Sequence, residues 1–368
     1  MNIIETIIPF IILISVIVFV HEFGHYFYAK KFGVKVTDFS IGFGKKIFGW
    51  KDKSGTLWKI CIFPLGGYVK FFGDTNPTSF KEKKTKFLKS QEKYILETKK
   101  LYQRVIIVAA GPAANFVLAF FIFIFIFMVF GKDFSIPVIK DVRIDGPAYK
   151  AGLKINDQII SINNKKINSI AEVSQDIILA DDNLIKIKVL RNKNELTFVA
   201  DANVESSKDN FGNMVNKRMI GIEIAPLNNE FIRNRLSLVD SVYNSANEIW
   251  FTVSTTMNYL FKIIKGTENA NQLGGPIKIA QISGKVAKNG IAPFLSIMAY
   301  ISISLGLINL FPIPLLDGGH LLFYFYEFIS GKPLSYNKQV FFFKFGMVVV
   351  ASLMFFATYN DLKSLGFF

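Results

Sequence analysis

Residues Val18 to Lys31 read VFVHEFGHYFYAKK, and the reading of the whole chain turns on them. Two histidines and a glutamate close an apolar run that began at Ile3, and two lysines follow. The spacing His21-Glu22-x-x-His25 sets both imidazoles on one face of a helix, where they can share a metal ion. Glu22, next in the chain, can then hold a water molecule. An ionisable residue at the centre of a membrane helix costs roughly 2.5–3.5 kcal/mol on insertion scales, so a cluster of three in an apolar run points to function.

The composition supports a bilayer setting. Of 368 residues, 51% are hydrophobic and 15% aromatic, too many for an ordinary soluble enzyme. About 20 apolar residues span the hydrocarbon, and four runs reach that length: 3–29, 105–130, 291–311 and 340–358. Only the fourth holds a basic residue, Lys344, near enough to its start to snorkel. The first run has no basic leader and no small-residue cleavage site, so it reads as an uncleaved span.

Charge sets an expected orientation. The net charge is +15, and residues 30–104 hold 18 Lys and Arg against 6 Asp and Glu. By the positive-inside rule that loop is cytoplasmic, which puts both termini and residues 131–292 on the other side. The latter segment, with 21 basic and 17 acidic residues, has the balance of an ordinary folded domain, and no nucleic-acid partner is expected from it. The single cysteine, Cys61, excludes an intramolecular disulfide.

Between the spans the pattern changes. Residues 31–103 begin with short β-rich runs turning at Gly42, Gly44, Gly66 and Gly67, suited to a sheet lying against the membrane. KEKKTKFLKSQEKYILETKKLYQR then repeats apolar residues among lysines, which predicts an amphipathic helix at the interface through Phe87, Leu88, Tyr94, Ile95, Leu101 and Tyr102. Residues 138–226 alternate β-like runs (LIKIKVL, ELTFVA, MIGIEI) with turns around one helical stretch near Ile170 to Leu179. Residues 235–290 carry helical periodicity, strongest from Val239 to Ile264.

A hydrolytic zinc site needs a third protein ligand and one open position. The chain has only three histidines, and the third lies in NLFPIPLLDGGHLLF, Asn309 to Phe323. On spacing alone either Asp317 or His320 could complete the set. Pro312 and Pro314 break a helix there, and unwound backbone is tolerated at membrane depth only where protein or a water-filled cavity satisfies it.

Together HEFGH, FSIGFG, FPLGGYVK, AGPAANF and NLFPIPLLDGGH, in this order over nearly the whole chain, resemble the site-2 protease family of intramembrane zinc metallopeptidases, in particular its bacterial regulator-of-sigma-E branch. The resemblance implies Zn²⁺ held by His21, His25 and Asp317, Glu22 as general base, and His320 as a neighbour outside the ligand set. It implies Asn309 as a contact for the substrate strand, and Gly42, Phe43, Gly44, Gly66 and Gly67 as parts of a membrane-embedded β-loop beside the site. AGPAANF is read as helix packing through small residues. DGPAYKAGLKINDQIISINNKKI, Asp145 to Ile167, resembles the core of a PDZ domain, with room for one copy.

The expected fold is therefore a polytopic α-helical membrane protein with four transmembrane helices, a membrane-associated β-loop region and one inserted α+β PDZ domain. In domains, this is a first span (1–30), a cytoplasmic β-loop with amphipathic helix (31–103) and a second span (104–131). An extracytoplasmic PDZ-like domain (138–226), amphipathic helices (235–290), a third span with the LDG motif (291–330) and a fourth span (338–360) complete it. The implied activity is cleavage of transmembrane segments of pre-trimmed, single-span proteins in the bacterial inner membrane, such as an anti-sigma factor or remnant signal peptides. The lipid bilayer is the other expected partner. The alternative is a zinc-binding scaffold or carrier with a PDZ module, which binds metal without cutting and has no use for Glu22.

Overall fold

The computed structural model describes residues 3–73, 88–180, 182–208, 214–266, 270 and 274–365. The chain divides into two compact units, one of residues 1–123, 245–256 and 273–368, the other of 124–244 and 257–272.

The first unit begins with α1 (Ile3–Lys31), whose apolar run ends with Lys30 and Lys31 in the last turn, where cations suit the helix dipole. Strands β1 (Val36–Lys51) and β2 (Leu57–Phe71) follow. They form a curled antiparallel sheet with register shifts: Val36 to Ile41 pair with Phe71 to Gly67, and Lys46 to Lys51 pair with Cys61 to Leu57. Its connecting turn is built on Asp52, whose carboxylate accepts from the backbone N–H groups of Ser54 (2.8 Å) and Thr56 (2.9 Å) and from Trp58 Nε1 (3.0 Å). Phe43, Ile47, Phe48, Trp50, Ile60, Ile62 and Phe63 are exposed on this sheet, an apolar surface that suits lipid better than water.

The amphipathic helix expected before the second span is corrected. Among the described residues only α2 (Lys89–Glu92) is helical there, and Phe87 lies outside them. Residues 93–100 instead run as turns, because Ile95 and Leu96 are buried inward and Thr98 Oγ1 binds the carbonyls of Glu92 (2.6 Å) and Ile95 (2.9 Å). Leu96 packs with Ala29, Val34, Val36 and Ile107. Leu101 and Tyr102 already belong to α3 (Leu101–Val129). That helix approaches α1 closely at Gly24, where a Cβ would stand 2.3 Å from the Ala110 carbonyl oxygen.

The second unit is largely a folded β module. It runs through β3 (Lys132–Asp133), β4 (Pro137–Val142), α4 (Pro147–Ala151), β5 (Gln158–Ile162), β6 (Lys165–Lys166), α5 (Ile170–Leu179), β7 (Leu184–Arg191) and β8 (Asn194–Asp201). Then come β9 (Asn203–Lys208), β10 (Met214–Met219), β11 (Ile222–Pro226) and β12 (Arg233–Asn234). The main sheet has the order β11-β4-β5-β7-β8, with β6 on β5. In β7 the alternation LIKIKVLR turns Ile185, Ile187 and Val189 into a core shared with Ile139, Ile159, Ile162 and, from α5, Val173 and Ile177. Asp157, fully buried, is paired by Arg191, whose Nη2 also binds the Gly152 carbonyl at 2.9 Å. The two ends of the module meet where β3 pairs with β12.

The remaining helices are α6 (Leu238–Ile264), α7 (Pro276–Lys288), α8 (Ile291–Asn309), α9 (Asp317–Ser330) and α10 (Tyr336–Ser364). Among the described residues, four helices are long and apolar enough to cross a membrane: residues 4–31, 101–129, 291–309 and 336–364. They cover the four predicted runs to within one residue, except that α8 stops at Asn309, two residues short, and the chain turns before α9. Asp361 of α10 accepts from the N–H groups of Gly275 (2.8 Å), Ile277 (3.0 Å) and Lys278 (3.1 Å), capping α7 from another helix.

Candidate active site

His21, Glu22 and His25 sit two-thirds of the way along α1, all buried, at 8, 9 and 9% exposure. The i, i+4 spacing brings the imidazoles together, with their Nε2 atoms 3.3 Å apart. The third member comes from 292 positions beyond His25. After α8, Pro312 and Pro314 forbid helix continuation, Leu315 takes a left-handed φ of 126°, and α9 restarts at Asp317. Asp317 thus stands in the first turn of a helix, where its negative charge is favoured. Its Oδ2 lies 3.2 Å from His21 Nε2 and 3.5 Å from His25 Nε2.

The donor set fits a metal ion. One ligand atom from each of His21, His25 and Asp317 lies within 4.8 Å of the other two. His25 Nδ1 is 2.9 Å from the Ile107 carbonyl; a carbonyl can only accept, so Nδ1 carries the proton and Nε2 presents its lone pair. Asp317 Oδ2 is buried yet accepts a hydrogen bond from neither imidazole. Lone pairs facing one another around a common point need a cation, and two imidazoles with a carboxylate suit Zn²⁺ with a position left open.

The other predicted residues are distributed as follows. Asn309, the last residue of α8, has its amide 3.4 Å from His21 Nε2. His320, one turn beyond Asp317, stands apart from the cluster and packs on Phe343, ring centroids 5.3 Å apart. Gly42, Phe43 and Gly44 lie in β1, Gly66 and Gly67 in β2. Of these Gly67 comes closest to the cluster: a Cβ there would stand 3.0 Å from Glu22 Cγ and 2.6 Å from the Ser40 carbonyl oxygen. The Val69 N–H hydrogen-bonds the Glu22 carboxylate. The β-sheet and the glutamate are therefore neighbours.

Two contacts escaped the sequence reading. Gly111 and Asn115, taken as packing residues, face the histidines from α3. A Cβ at Gly111 would stand 2.2 Å from His25 Nε2, so only glycine leaves room for that ring. Asn115 is fully buried with its amide 3.3 Å from His21 Nδ1. The signal was available: a buried asparagine one turn from a glycine, in an otherwise apolar span, needs a polar partner.

Comparison with known proteins agrees with this geometry. Residues 9–353 match the family model for peptidase family M50. Relatives include Atu1380 of Agrobacterium fabrum, provisionally named a zinc metalloprotease, which is 39% identical over 98% of this chain and 96% of its own. RC0203 of Rickettsia conorii, named likewise, is 37% identical over 98% of this chain and 99% of its own. Metalloprotease MmpA of Caulobacter vibrioides is 32% identical over 97% and 95%. The match runs from α1 with its two histidines through the Asp317 turn, and the chain belongs to peptidase family M50, the site-2 type of zinc metalloprotease in membranes.

Proposed function

We propose that the protein is an intramembrane endopeptidase that cuts transmembrane segments of single-span proteins already trimmed by another protease, with His21, His25 and Asp317 as zinc ligands and Glu22 as general base. The observation that carries this reading is the convergence of two imidazole nitrogens and one carboxylate oxygen within 4.8 Å, beside a buried glutamate. Bound there, Zn²⁺ supplies Lewis acidity toward the scissile carbonyl and toward a water molecule. Glu22 takes the proton of the attacking water on its carboxylate and returns it to the departing amide nitrogen. The Val69 N–H keeps the Glu22 carboxylate turned toward the sheet side of the helix. A pure metal carrier would have no use for that glutamate.

A helical substrate hides its amides in its own hydrogen bonds, so the cut requires local unwinding. The backbone groups released need partners in the membrane. The curled sheet of β1 and β2 supplies strand edges for this purpose, with Gly67 beside Glu22, and Asn309 offers an amide beside His21. In this reading the basic loop 30–104 is cytoplasmic and the β module extracytoplasmic. The module, with its short helix ending at Gly152 (φ 90°) before the Leu153 turn and with α5 over the sheet, is a single PDZ-like domain. It acts as a filter that admits slim substrates. Anti-sigma factors and signal-peptide remnants are the substrate class; reconstitution with a panel of single-span peptides tests it, and cleavage of none while zinc is bound would reject it.

A further inference from the structure

We propose that Asn115 is a positioning residue for the metal centre: its Oδ1 accepts the Nδ1–H of His21 and so fixes the tautomer that turns the Nε2 lone pair inward. This rests on the ligand set proposed above. The two histidines take their second contact from the same helix. For His25 it is the Ile107 carbonyl, 2.9 Å from Nδ1, and its direction is fixed because a carbonyl has no proton to give. For His21 it is the Asn115 side-chain amide, 3.3 Å from Nδ1, which is the only polar group recorded at that nitrogen among the described residues. An amide has two ends, and turning it about its terminal bond exchanges donor for acceptor.

The place of Asn115 beside a ligating histidine chooses between them. The residue is fully buried, its backbone carbonyl is taken by Ser302 Oγ at 2.9 Å, and its Oδ1 has no partner when Nδ2 faces the imidazole. In that orientation Nδ2 donates to an unprotonated Nδ1 and Oδ1 is the end without a partner. The ring proton then sits on Nε2, pointing at the place where His25 Nε2 and Asp317 Oδ2 converge. With Oδ1 facing the ring it accepts the Nδ1–H, Nδ2 takes the place that Oδ1 had, and Nε2 is free to ligate. Outer partners of this kind orient a ligating histidine and are typically worth 10- to 100-fold in metal affinity.

Chelator competition on purified protein measures zinc affinity for Asn115→Leu, Asn115→Asp and His21→Leu, with thermal melting of the metal-free forms alongside. Asn115→Leu, close in volume but without an acceptor, is expected to weaken zinc about 10- to 100-fold while melting as the parent does. Asn115→Asp keeps the acceptor and is expected to stay within a few-fold of the parent. Loss of zinc by the aspartate variant, or parental affinity in the leucine variant, overturns the proposal. If the leucine variant does not accumulate, the aspartate variant decides alone. Nitrogen-15 NMR of histidine-labelled protein, with only three histidines to assign, adds a direct reading: a proton on His21 Nδ1 supports the assignment and one on Nε2 overturns it. Retained zinc in His21→Leu would instead reject the ligand set, which separates the two failures.

Discussion

Arg104 and Glu327, 223 positions apart, form a two-pronged ion pair, Nη1 to Oε2 at 2.9 Å and Nη2 to Oε1 at 2.5 Å. Arg104 also binds the Lys99 carbonyl at 3.1 Å and lies over the Tyr324 ring. The pair ties the start of α3, which holds the contacts to both histidines, to α9, whose first residue is Asp317. Both side chains are largely buried, at 11 and 17% exposure, so removing one partner leaves a charge poorly solvated. Loss of one member of a buried pair typically costs about 3–5 kcal/mol.

Arg104→Ala should therefore lower thermal stability and weaken zinc binding together, and Arg104→Lys should restore less than full function because lysine cannot make the two-pronged contact. Melting curves and metal content of the purified variants check this. Parental values in Arg104→Ala would show that the clamp carries no part of the site's geometry.

Asp317→Ala should lose zinc and activity together, whereas His320→Ala should keep most of its zinc. The reason is geometric: Asp317 Oδ2 stands 3.2 Å from an imidazole nitrogen, while His320 packs on Phe343. Metal analysis of both variants distinguishes them, and an emptied His320→Ala site with a filled Asp317→Ala site would reverse the assignment.

The turn of the β1–β2 sheet should respond to acid in a defined direction. Burial pushes the Asp52 carboxyl up, but hydrogen bonds from Trp58, Ser54, Thr56 and Tyr26 outweigh it and hold the group well below the ordinary carboxylate range. A depressed value means that the stabilisation is complete above the unfolded value near 3.9 and is lost as pH falls through the folded one. Asp52→Asn should thus raise hydrogen exchange in residues 52–58 at neutral pH. The wild-type turn should lose its protection only in strong acid, and a loss near pH 6 would contradict the assignment.

The β module should be removable. Arg233 pairs with Asp133 and Asn234 with Lys132, so its two ends are already adjacent and a short loop can replace residues 134–232. If the module is a steric filter, the shortened protein should bind zinc normally and cut full-length precursors that the intact protein ignores. Cells lacking the first protease, probed for the cleaved fragment, give the answer. A stable, zinc-loaded deletion that still refuses intact precursors would make the module a recruiter or a spacer.

The sequence made some of this legible and hid the rest for physical reasons. The spans were visible because length and hydropathy alone define them, and His21 with His25 because both ligands lie on one helix turn. Strand runs such as LIKIKVL were visible through alternation. Asp317 could not be separated from His320 by spacing, since the break at Pro312 to Leu316 decides which side chain turns inward. Among the described residues the expected amphipathic helix shows periodicity overruled: Leu96 is drawn into the junction with Val34, Val36 and Ile107 and Ile95 is buried beside it in the chain, so residues 93–100 turn where lysines and apolar residues alternate helically. Asn115 was hidden in plain composition, because the small residues around it gave a sufficient packing explanation.

The central claim is that Glu22 performs proton transfer at a zinc centre inside the membrane. The direct test is Glu22→Gln in purified, reconstituted protein, with zinc content and peptide-bond cleavage measured on the same sample. Glutamine can still hydrogen-bond a water molecule but cannot take its proton, and loss of a general base typically costs about 10²- to 10⁴-fold. The expected result is one zinc per chain with cleavage of a single-span peptide reduced by that factor. Near-parental turnover by the zinc-loaded variant would contradict the account.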